Sequence, residues 1–131
     1  MNLISEDLKK LERLSLMSFK EYESRFENEA VAERLLEKII GRMIDINYHI
    51  ITALGYPPPR DFFESFIKLA ELGILEFSFA KRIAQAAGLR NRLAHEYNGI
   101  DTKKVYQAVK RCFIDLPVYL GKIADFVSKK K

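Results

Sequence analysis

Residues 28–54, NEAVAERLLEKIIGRMIDINYHIITAL, decide the fold. Val31, Leu35, Ile39, Ile46 and Ile50 recur every three to four residues, the spacing that stacks side chains on one face of an α-helix. Upstream, residues 4–25 repeat the pattern through Ile4, Leu8, Leu11, Leu14 and then Phe19 or Phe26. No stretch alternates with period two for long enough to form a half-buried strand. The chain therefore reads as all-α.

Downstream, Gly55-Tyr56-Pro57-Pro58-Pro59 breaks the pattern, because consecutive prolines remove amide donors and exclude helical geometry from the residues before them. Asp61, followed three residues later by Glu64, resembles a capping box that opens a short helix ending near Gly73. A fourth helix is expected over about 76–97, stopped by Asn98-Gly99. Asp101 caps a fifth, which reaches the lysine tail and should bend at Pro117 and Gly121. The expectation is one domain over residues 1–131, an antiparallel helical bundle of about five helices.

Composition narrows the function classes. Hydrophobic residues at 48% and charged residues at 31% suit a folded globular chain. One cysteine, Cys112, cannot form an intramolecular disulfide and reads as a small core residue. Two histidines cannot assemble a Cys/His metal-ligand spacing, so neither metal nor cofactor is expected. The amphipathic start MNLISEDLKKLERL lacks the apolar core of a secretory signal, and no apolar run is long enough to span a bilayer, so a cytoplasmic location is expected.

Charge is unevenly spread. Residues 1–80 carry 10 Lys/Arg against 14 Asp/Glu, and residues 81–131 carry 12 against 4, for net charges of −4 and +8. Such asymmetry fits a polyanionic partner on the C-terminal part, although solvated helix faces and the Lys129–Lys131 tail account for some of it.

The segment GLRNRLAHEY, residues 88–97, concentrates the chemistry. Asn91 and His95 stand one turn apart, so the amide can orient the imidazole, and Arg90 sits about 140° around the axis from His95. A guanidinium, an amide and an imidazole suit phosphodiester cleavage on RNA. Attack by a ribose 2′-hydroxyl needs a base, an acid, and cations for the growing phosphorane charge. One such histidine per chain is a shortfall. Two chains packed along helix four would supply two, with Ala84, Ala86, Ala87 and Gly88 as a close seam; packing within one bundle is the competing use of those small residues. His49 has no arginine at a useful spacing and is assigned to packing. Tyr97 alone could simply staple the helix end.

The arginine, polar residue, histidine and tyrosine pattern at Arg90, Asn91, His95 and Tyr97 resembles the signature of the HEPN superfamily. The surrounding text, GYPPPRDFFESFIKLAELGIL at 55–75 and GLRNRLAHEYNGIDTKKVYQAV at 88–109, resembles its HepT toxin branch. The resemblance implies a homodimeric helical bundle acting as a metal-independent ribonuclease toxin, paired with a nucleotidyltransferase antitoxin usually called MntA. It implies that Arg90 and His95 are catalytic, that Asn91 supports them, and that Tyr97 is the hydroxyl the antitoxin modifies with AMP. A non-catalytic module that binds nucleotide or docks a nucleotidyltransferase stays open, because it would use the same basic face.

Overall fold

The computed structural model describes residues 2–95 and 101–130, with the backbone alone for residues 2, 3, 5, 90, 91, 93–95 and 130. Six helices follow one another: α1 (Asn2–Ser15), α2 (Phe19–Glu23), α3 (Phe26–Ala53), α4 (Phe62–Glu71), α5 (Phe77–His95) and α6 (Thr102–Lys130). Strands are absent among the described residues.

The count exceeds the expected five because the first helix is two. Ser18 stops and restarts the chain: its hydroxyl accepts from the Glu21 amide at 3.2 Å, and the Glu21 carboxylate accepts from the Ser18 amide at 3.3 Å. This reciprocal box opens α2 as a separate helix. The break is tied down from elsewhere, since Tyr106 of α6 donates its hydroxyl to the Met17 carbonyl at 2.7 Å. Consequently Phe26, one of two candidates for the first buried stripe, opens α3 at 80% exposure, while Phe19 packs against Tyr22 and Tyr106.

α3 is the axis of the bundle and packs against each of the other five helices. Its buried face centres on Leu36, Ile39, Met43 and Ile51, with Val31 turned out at 41% exposure rather than lying on the stripe. His49 is exposed, not packed. One polar network is sealed within the core. Asn47 donates to the Ser65 hydroxyl at 3.0 Å, and the Tyr119 hydroxyl donates to the Asn47 carbonyl oxygen at 2.5 Å. Buried amides and hydroxyls persist only when paired in this way.

The turn residues behave as glycine requires. Gly55 and Gly73 adopt φ of 90° and 78°, where a Cβ would be strained, and they end α3 and α4. The capping box at α4 is only half formed. Asp61 accepts from the Glu64 amide at 2.8 Å, but Glu64 pairs outward with Arg60 at 2.7 Å instead of returning to the cap. α6 runs through Pro117 and Gly121 as one helix, with Pro117 on its exposed side. The expected stop at Asn98-Gly99 lies outside the described residues. No helix among them is long and apolar enough to cross a membrane.

Candidate functional site

Contacts fix the relative directions of the three helices that matter. Thr102, first in α6, donates to Glu29 near the start of α3 at 3.2 Å, and Tyr119 reaches Asn47 further along both, so α3 and α6 run parallel. Arg82 of α5 pairs with Asp115 of α6 at 3.0 Å, and Arg92 lines one groove with Lys104, so α5 runs antiparallel to α6. His95 lies thirteen residues past Arg82 and Thr102 thirteen before Asp115, each about 20 Å along its axis. The last turn of α5 therefore comes level with the first turn of α6 and the start of α3.

The backbone of the last two turns of α5 carries three of the four expected site residues, Arg90, Asn91 and His95, with Asn91 and His95 one turn apart. Tyr97 lies outside the described residues. The neighbouring Arg92 is exposed. The small residues of α5 separate by face. Ala84 and Ala87 are buried at 0% and 2% within this chain, so they cannot form the close seam between two copies expected from them. Gly88 lies in open space.

The structure adds two residues that motif reading missed. Glu29 and Glu33 stand one turn apart on α3, at the end where the motif turn lies. One Glu29 carboxylate oxygen accepts from Thr102, and the other is buried with no hydrogen-bond donor among the described residues. Burial, and then the charge of Glu29, push the Glu33 carboxyl above the usual range. The same two acids, after burial itself, raise the neighbouring Tyr22 phenol. A signal for them exists in the sequence. Stepping back from Met43 and Ile40 by alternating threes and fours reaches Leu36, then Glu33 and Glu29, a buried stripe that turns acidic at its end.

Between α5 and α6 runs a groove of about 740 Å³, floored by Ile40 and Met43 of α3. Its walls present Arg82, Arg92, Lys104, Lys110 and Arg111, against the single acid Asp115. Cys112 also lines it, and burial, helped by Asp115, pushes its thiol up to about 12. It therefore stays protonated at neutral pH and is a poor nucleophile. No group of three potential ligands that could hold a metal occurs among the described residues.

Comparison with solved structures shows which fold this six-helix bundle has. The fold matches a tri-AMPylated HEPN toxin of Shewanella oneidensis, solved in complex with an MNT antitoxin, with a TM-score of 0.83 at 20% identity over 93% of this chain and 91% of that one. It also matches a chain of a toxin–antitoxin crystal structure with AMP-PNP, with a TM-score of 0.84 at 19% identity over 93% and 92%. At such identities the likeness is one of fold.

The family is shown by sequence: the model described as ribonuclease HepT-like matches residues 4–123, and the chain belongs to that family. The tRNA nuclease HepT of Aphanizomenon flos-aquae is 38% identical over 127 residues, which cover 97% of this chain and 86% of that protein.

Proposed function

We propose that this protein is a metal-independent RNA endonuclease, the toxin of a toxin–antitoxin pair, and that a nucleotidyltransferase antitoxin silences it by adding AMP to Tyr97. The observation that carries this reading is the 38% identity to a tRNA nuclease along nearly the whole chain, with Arg90, Asn91 and His95 within the last two turns of α5. By the same likeness, tRNA is the substrate.

In this mechanism the ribose 2′-hydroxyl attacks the adjacent phosphorus and the 5′-oxygen leaves. His95 transfers a proton at one of these oxygens. Arg90 grips the phosphate and stabilises the charge that accumulates in the transition state. Asn91 holds the imidazole, whose ordinary pKa lies close enough to neutrality for either direction of transfer. The second proton-transfer group comes from His95 of another copy in a homodimer, a requirement that rests on the one-histidine inventory of the motif turn.

Expression tests the pairing. Production of the protein alone should arrest bacterial growth, and coexpression of a cognate nucleotidyltransferase should restore it. Undiminished growth on production of the folded protein would count against a toxin.

A further inference from the structure

We propose that the groove between α5 and α6 is the track along which the RNA backbone is held, leading it to the last turn of α5. This rests on the ribonuclease reading above and adds the surface that grips the substrate.

The groove has the charge for a polyanion. Asp115, its single carboxylate, is already engaged by Arg82 at 3.0 Å. Arg92, Lys104, Lys110 and Arg111 are exposed, and among the described residues none of them has a carboxylate within ion-pair distance. Four unneutralised cations along one channel concentrate potential, and a phosphate backbone is the common ligand that matches a row of them.

It also has the direction. Arg82 and Arg92 are ten residues apart on α5, or about 15 Å of groove wall. Arg92 and Lys104 stand at the end where α5 finishes and α6 begins, level with the backbone of Arg90 and His95. A strand lying in the groove is thereby delivered to the motif turn. Ala86, Ala108 and Ile114, the apolar lining residues that stay open, offer ribose and base faces a dry surface without reading their edges, so grip on the backbone is largely sequence-independent.

A second copy of this chain fits the groove less well. Two-fold packing would set this face against itself, and the four unneutralised cations would meet four more, a like-charge juxtaposition that opposes association.

The test is binding of a labelled transfer RNA by fluorescence anisotropy, with the His95→Ala protein so that the RNA stays whole. The groove variant combines Lys104→Gln, Lys110→Gln and Arg111→Gln. A matched control combines Lys9→Gln, Lys10→Gln and Arg13→Gln on the exposed side of α1. The groove variant should bind about tenfold or more weakly at about 50 mM salt, and its log–log salt slope should shrink by about 2, close to 0.7 for each lost phosphate contact. The control should bind as the parent does.

Equal losses in groove variant and control would overturn the groove while leaving RNA binding intact. If the groove variant changes from dimer to monomer in light scattering, the face is an interface between copies and the proposal fails. Absence of RNA binding by the parent at low salt would instead remove the ribonuclease reading itself.

Discussion

Arg82 of α5 forks onto the carboxylate of Asp115 of α6, at 3.0 Å and 3.4 Å, and this pair ties the two walls of the basic groove together. The Asp115 side chain is only 4% exposed, whereas Arg82 is half exposed at 48%. Removing the arginine strands a buried charge, a costlier change than loss of a surface pair. Arg82→Ala should therefore lower unfolding free energy in urea by about 1–3 kcal/mol, less than for a fully buried pair because water screens Arg82. The double variant Arg82→Ala, Asp115→Ala should recover part of that loss. An unchanged denaturation midpoint in Arg82→Ala would mean the fork contributes nothing.

The sealed network around Asn47 makes a second prediction. Tyr119→Phe deletes the hydroxyl that donates to the Asn47 carbonyl oxygen, leaving that oxygen buried with no replacement from water. The cost of such an orphaned group is about 1–3 kcal/mol, visible as a lower melting temperature with the helical circular dichroism of the native state retained. Tyr119→Phe melting with the parent would show that the bond is not formed in solution.

The acid pair on α3 gives a pH dependence whose sign can be worked out. The Glu33 carboxyl is raised above its ordinary value by burial and by Glu29, so the folded state binds its proton more tightly than the unfolded chain does. Its contribution is most favourable below the unfolded pKa and is lost as pH rises through the folded one. Glu33→Gln should raise the melting temperature at neutral pH, with the gain vanishing below about pH 4, where both states are protonated. A lower melting temperature at neutral pH would contradict a raised Glu33 carboxyl.

Much of this was readable in the residues. The run 28–54 marked α3 within two residues at either end because its periodicity is sustained, and Asp61 and Gly73 bounded α4 through their own chemistry. The break at Ser18 was hidden because Leu14 and Phe19 both remain apolar. An intact helical pattern on either side masks a three-residue interruption that Tyr106 secures from far along the chain. Val31 and Phe26 were misplaced because a stripe of apolar letters does not say where a helix meets its neighbours. The Arg90, Asn91 and His95 turn was visible as a motif. Glu29 and Glu33 became relevant only once Thr102 and Arg82 fixed the register of α3, α5 and α6.

Control through Tyr97 predicts a defined adduct. An AMP group on its hydroxyl would place a phosphodiester and a purine near Arg90, competing with RNA for the guanidinium. Protein coexpressed with a cognate nucleotidyltransferase should gain the mass of one or more AMP units, mapped by mass spectrometry to Tyr97 and missing from Tyr97→Phe. An adduct on another residue, or full neutralisation of Tyr97→Phe by the partner's catalysis, would refute this mode of control.

The central claim is that the turn Arg90–His95 cleaves RNA without a metal. The measurement is cleavage of transfer RNA by purified protein in excess chelator, comparing the parent with His95→Ala and Arg90→Ala after circular dichroism has shown all three folded. The parent should cut in chelator, and each variant should be slower by about a hundredfold or more, the range expected when a proton-transfer group or a transition-state cation is lost. Equal cleavage by all three proteins, or cleavage by the parent that stops in chelator, would contradict it.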